Sequence, residues 1–141
     1  MAISDPFNLQ RFLDAQAPMY VNVLRELEDG RKRSHWMWFI FPQFSGLGFS
    51  PTSVFYALRS LGEAQAYLNH PVLGPRLRQC VELTLQVEGK TAAQIFGVVD
   101  GQKFRSSLTL FSQARPDISV FDAALAKYFD GSPDVATLER L

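Results

Sequence analysis

The chain has 141 residues, 47% hydrophobic and 20% charged, with fourteen Lys+Arg against fourteen Asp+Glu. A chain of this length buries roughly 70% of its unfolded surface as one unit, so residues 1–141 are expected to form a single domain. The balanced charge provides no field to recruit nucleic acid or an acidic membrane. No apolar run reaches the roughly 18 residues of a bilayer span, and a lone Cys80 excludes an internal disulfide or a cysteine metal cage.

The first residues, Met-Ala-Ile-Ser-Asp-Pro, carry neither a charged n-region nor an apolar h-region. No leader is expected, and the cytoplasm is the expected compartment. Asp5-Pro6 reads as an N-cap with proline at the first helical position, followed by a face of Phe7, Leu9, Phe12 and Leu13. Pro18 restarts the chain. Met19, Tyr20, Val23, Leu24 and Leu27 then recur at helical spacing until Gly30 ends the run. The basic triplet Arg31-Lys32-Arg33 reads as a solvated connector after a helix end.

Residues 35–42, His-Trp-Met-Trp-Phe-Ile-Phe-Pro, form a dense aromatic segment. Periodicity leaves it open between a helical turn and a strand. If extended, Trp36 and Trp38 share a face; if helical, they separate. Pro42, Gly46, Gly48 and Pro51 predict a loop over 42–52. Ser60 with Glu63 fits a capping box, opening a helix that stops at His70-Pro71. His70 itself reads as a turn residue. Val72 to Glu88 is predicted as the longest helix, with Leu73, Leu77, Cys80, Val81 and Thr84 on one face and Gly89 closing it. Thr91 with Gln94 makes a second capping box for a short helix to Phe96. Asp100 is expected to cap a helix carrying Phe104, Leu108 and Phe111, which ends at Arg115-Pro116. Ser119 opens a further helix with Phe121, Ala124, Leu125, Tyr128 and Phe129 inward. Ser132-Pro133 starts a last turn through Leu138. No strand-and-helix alternation appears, so the fold class is all-α, a single compact multi-helical domain around an aromatic-rich segment and loop.

Several residues are candidates for chemistry. Glu88-Gly-Lys-Thr91 imitates the end of a phosphate loop, but Thr84 stands where the motif needs glycine and a helix precedes it. His35 has the side chain for proton transfer near neutral pH, or it anchors the aromatic segment through a backbone bond. Trp36 and Trp38 are stacking candidates or simple core. Gln43 can hydrogen-bond a ligand edge. Lys103 and Arg105 fall early in a predicted helix, where the dipole disfavours cations and a bound anion, assisted by Ser106, would offset them. Glu63 is first a helix-start residue, and secondly a carboxylate that could work beside His35. Asp100 and Glu82 are carboxylates with no further signal. Histidines 35 and 70 lie far apart without ligand spacing, so neither a metal nor a cofactor is expected.

Three blocks carry a resemblance: His35-Trp-Met-Trp-Phe-Ile-Phe-Pro-Gln43, Tyr67-Leu-Asn-His-Pro-Val-Leu-Gly-Pro-Arg76-Leu, and Lys103-Phe-Arg-Ser-Ser-Leu-Thr-Leu-Phe111. In this order they resemble a bacterial family known as domain of unknown function 1810, over nearly the whole chain. The resemblance implies a compact all-helical domain of the mycobacterial conserved-hypothetical type and no established activity. Some members carry the name calpastatin, a disordered repetitive inhibitor; this chain has no repeats and 13% aromatic residues, and should fold alone. A weaker, architectural resemblance is to helical proteins acting on NAD-derived or ADP-ribose-like compounds. From these features the leading expectation is binding, with hydrolysis as its stronger form, of a phosphate-bearing nucleotide-like molecule. Trp36 and Trp38 would stack it, Gln43 would hold an edge, Lys103, Arg105 and Ser106 would hold phosphate, and His35 with Glu63 would move protons. The rival expectation is a non-catalytic module that docks a partner protein through Phe44, Leu47 and Phe49.

Overall fold

A computed structural model of the chain describes residues 4–141. The expectation of no leader rests in part on residues 1–3, which lie outside the described residues. Among the described residues the protein is an all-helical bundle of ten helices without a sheet. None of these helices is long and apolar enough to cross a membrane.

The first two helices are α1 (Gln10–Gln16) and α2 (Tyr20–Glu28). Asp5-Pro6 does not start the first of them, whose N-cap is Leu9, but the Asp5 carboxylate still accepts from the N–H groups of Leu9 and Gln10 at 2.8 and 3.0 Å. A turn through Asn8, at φ 52°, intervenes, so Phe7 lies outside the helix and is exposed. After α2 the chain reverses at Gly30, whose φ of 69° suits glycine.

The aromatic segment is helical: α3 (Met37–Ile40) is a single turn. It is followed by α4 (Pro51–Tyr56), a helix the sequence reading does not include, since its loop over 42–52 overlaps the first two residues. Ser50 caps α4 by accepting from Ser53 N–H, and Pro51 occupies its first turn. The true loop, residues 42–50, is pinned to the end of α4 by two backbone bonds. Ser45 N–H donates to Leu58 O and Leu58 N–H to Gln43 O, at 2.8 and 2.9 Å.

Next come α5 (Leu61–Asn69) and α6 (Leu73–Leu85). Only half of the Ser60–Glu63 capping box forms: Ser60 Oγ accepts the Glu63 N–H, while the Glu63 carboxylate turns to Arg11. His70 is indeed a turn residue, and a cap as well. Its Nδ1 accepts from the N–H groups of Val72 and Leu73 at 3.1 and 3.2 Å. Gly74 lets the two helices close up, since a Cβ there would lie 2.0 Å from the Leu68 carbonyl oxygen.

The second capping box, at Thr91 and Gln94, is complete and opens α7 (Ala92–Phe96). The longest helix is α8 (Val98–Ala114), not the one over 72–88. Asp100 lies within its first turn rather than capping it. Ten residues of α8 are buried, and it packs against α5, α7, α9 (Val120–Phe129) and α10 (Val135–Arg140). Around it Trp36, Phe41, Phe96 and Phe104 form a continuous aromatic cluster, with the Phe41 and Phe104 centroids 4.9 Å apart. On the far side Tyr67 links Phe12 to Phe111.

Candidate functional site

The helical turn of α3 separates the two tryptophans, and their fates differ. Trp36 has no exposed surface, and its indole N–H donates to Glu26 at 3.1 Å. It is a core residue and offers no face for stacking, which corrects the expectation. Trp38 is half-buried at the surface of the bundle. Lys103 Nζ stands 4.8 Å from its ring centroid, within cation–π range. The Trp38 indole N–H is buried and has no hydrogen-bond partner among the described residues. Such orphans are rare in native interiors and mark positions that call for an explanation.

Trp38 forms a wall of two hollows. On one side an open hollow of about 440 Å³ is lined by His35, Trp38, Phe39, Phe55 and Tyr56. On the other a small void of about 10 Å³, with room for about one water, adjoins Gln43 and Ser53. His35 is exposed at the rim of the first. Gln43 is half-buried in the second, and its backbone carbonyl accepts from Leu58 N–H. Four of the eight sequence-derived residues border one indole but do not share one pocket: beside Trp38 itself, His35 lines the open hollow, Gln43 lines the small void, and Lys103, over the Trp38 ring, lines neither.

The other four line neither hollow. Because α8 starts at Val98, Lys103 and Arg105 sit beyond its first turn, out of reach of its free N–H groups. Arg105 binds Ser132 twice, through Nε to the carbonyl and through Nη2 to the hydroxyl, both at 2.9 Å. Ser106 is buried and donates to Gln102 O and Asp134 Oδ2. These two residues fasten α8 to the start of α10, and neither lines the Trp38 hollows. Glu63 is 4% exposed and lines a different cleft from His35, so the two form no acid–base pair in a shared cavity.

Behind the site lies a polar scaffold with no local signature in the sequence. Glu26, 6% exposed, gathers the 33–36 segment: the N–H groups of Arg33 and Ser34, the Ser34 hydroxyl and the Trp36 indole all donate to it. Burial pushes its pKa up, but these donors outweigh burial and hold it below the ordinary 4.5. The basic triplet is not simply solvated. Lys32 is almost buried and bonds Asp100 at 2.9 Å and the Ser34 carbonyl at 2.6 Å. Asp100 also faces Lys103 at 3.5 Å, so one carboxylate serves two ammonium groups and the cluster keeps a net positive charge. Gln16, buried under α3, donates to Phe39 O and Tyr67 Oη and accepts from Arg76. The Gln16 and Asp100 contacts join residues distant in sequence, and those of Glu26 follow no helical or strand spacing, so periodicity does not reveal them. The docking patch expected at residues 44, 47 and 49 is also redistributed. Phe44 and Leu47 are half-buried, whereas Phe49, Val54 and Phe55 are the exposed apolar residues.

The all-helical architecture, with this aromatic turn set between α2 and α8, defines a family of small helical domains without an assigned activity. The family model "Protein of unknown function (DUF1810)" matches residues 6–141, and the chain belongs to that family. A similar solved structure is the crystal structure of the conserved hypothetical protein Rv1873 from Mycobacterium tuberculosis. It is 53% identical, with a TM-score of 0.96 over 97% of this chain and 98% of that one. Comparison with curated proteins finds no match.

Proposed function

We propose that the protein binds a small, planar, phosphate-bearing molecule of nucleotide type, such as an ADP-ribose or NAD derivative, on the face of Trp38. The observation that carries this reading is the cation held over an indole whose N–H is buried and unpartnered. The planar group lies against Trp38 in the 440 Å³ hollow, within the size range of small-molecule sites. Lys103 pairs with phosphate, favoured by the net positive charge it shares with Lys32 and Asp100. Gln43, with Ser53, supplies polar contact at the inner edge. His35, at the rim, is the group available for proton transfer if the bound molecule is hydrolysed.

The test is a thermal-shift panel with NAD, ADP-ribose, nucleoside mono- and diphosphates and inorganic phosphate. A ligand at a hundredfold its dissociation constant stabilises by about 2.7 kcal/mol, several degrees of melting temperature. A nucleotide-specific shift that disappears in Lys103→Ala, with that variant still folded, is the expected result. No shift with any compound contradicts the reading.

A protein-interaction role has one observation in its favour, the 88% exposure of Phe49 beside half-exposed Val54 and Phe55. It requires that Phe49→Ser abolish association with a partner while leaving nucleotide shifts intact.

A further inference from the structure

A second cleft is bordered by α4 and by the segment ahead of α1, apart from the Trp38 hollow. It measures about 830 Å³ and shares only Pro51 and Phe55 with that hollow. Its walls are apolar and aromatic: Phe7, Phe49, Val54 and Phe55, each more than a third exposed. Side chains of both charges line it, Glu63 and Arg59. Glu63 is 4% exposed yet lines the cleft. Among the described residues its carboxylate receives a single contact, from Arg11 Nη2 to Oε2 at 3.4 Å, and Oε1 accepts nothing.

Arg11 adds little to that carboxylate, because its guanidinium is engaged elsewhere. It donates to the carbonyls of Phe7, Asn8, Phe55 and Ala57. A buried carboxylate with an open oxygen facing a cleft is poised to accept a cationic donor. Arg59 is exposed at the same cleft and has no ion-pair partner among the described residues. Its planar fork suits a carboxylate.

We infer that this cleft binds a short apolar zwitterion, an aromatic amino acid or a dipeptide of such residues. The ligand's ammonium meets Glu63, its carboxylate meets Arg59, and its apolar side chains lie between Phe49 and Phe55. The three features are complementary only to a molecule that carries both charges and an apolar body. The volume, several times that of one side chain, favours the dipeptide over the single amino acid. The site is separate from the nucleotide face, and neither proposal depends on the other.

Isothermal titration with four probes tests it: L-phenylalanyl-L-phenylalanine, L-phenylalanine, 3-phenylpropionate without the ammonium, and phenethylamine without the carboxylate. The dipeptide is expected to bind most tightly. Each compound lacking one charge should bind about tenfold more weakly or worse, a single charge-assisted bond's worth. Arg59→Ala, at an exposed position, should weaken the dipeptide by a similar factor and leave phenethylamine unchanged. Glu63→Gln should weaken the dipeptide by a similar factor and leave 3-phenylpropionate unchanged, with its folding checked by circular dichroism. If Glu63→Gln does not fold, the two truncated ligands still report the ammonium contact. Trp38→Ala should leave dipeptide binding intact. No dipeptide binding at about 10 mM overturns the proposal. So does a phenylpropionate affinity equal to the dipeptide's, or loss of dipeptide binding in Trp38→Ala.

Discussion

Four donors converge on the Glu26 carboxylate, and this one side chain explains why an irregular segment presents Trp38 in a fixed place. Without it, three backbone or hydroxyl donors and the Trp36 indole would lie unpaired in or near the core. Glu26→Ala is therefore expected to cost about 3 kcal/mol, roughly a 10 °C fall in melting temperature. Its pKa is lowered in the folded state, so the stabilisation is fully present above 4.5 and disappears as the pH falls below that value. Glu26→Gln should be less stable than wild type at neutral pH and lose less stability between about pH 5 and about pH 3. Denaturant melts across that range check both statements. Arg105 provides a contrasting case. Its bonds to Ser132 make it a fastener of α8, so Arg105→Ala should lower the melting temperature slightly and leave ligand binding unchanged.

At the level of elements, close approach of α5 and α6 depends on Gly74. Gly74→Ala would put a methyl group 2.0 Å from the Leu68 carbonyl oxygen, a backbone atom that cannot rotate away. The helices must part, at an expected cost of about 3 kcal/mol by chemical denaturation. Helix ends were largely readable from sequence because capping is local: Thr91 with Gln94, Ser60 ahead of α5, Arg115-Pro116 after α8. The same grammar marks α4, where Ser50-Pro51 repeats the pattern of Asp5-Pro6. Gly46 and Gly48 just ahead of it, with Pro51 itself, extend the loop reading to residue 52 and hide that start. Asp100 reads as the cap of α8, yet the helix starts at Val98, because Gly97, at φ 88°, launches it with no side-chain cap, followed by exposed Val98 and Val99. Starting the helix at Asp100 places Lys103 and Arg105 in its first turns and makes both look like anion ligands. Of the site, the aromatic segment was legible as unusual. The division of its tryptophans into core and surface was not, because it turns on whether four residues wind into a helix. The partners of Lys32 and Glu63 were invisible for a different reason: Asp100 and Arg11 come near them only through folding.

For the molecule as a whole, the core is continuous from Phe12 through Tyr67 and Phe111 to the Phe104 cluster, and Cys80 lies inside it with no exposed surface. Burial pushes its thiol up to about 12. Alkylation of native protein should be very slow at neutral pH and proceed only through global opening, with the same denaturant dependence as unfolding. Rapid labelling of the native state would show that the core opens locally beside Cys80. The surface of this core carries the central functional claim, that the exposed face of Trp38 and the ammonium of Lys103 form a ligand site. Tryptophan fluorescence during titration with ADP-ribose tests it most directly, since Trp36 is sealed and Trp38 is the only other tryptophan. The expected result is a saturable change in wild type and in Arg105→Ala that is absent in Lys103→Ala and in Trp38→Phe. An unchanged signal in wild type, or equal loss in Arg105→Ala and Lys103→Ala, would contradict it.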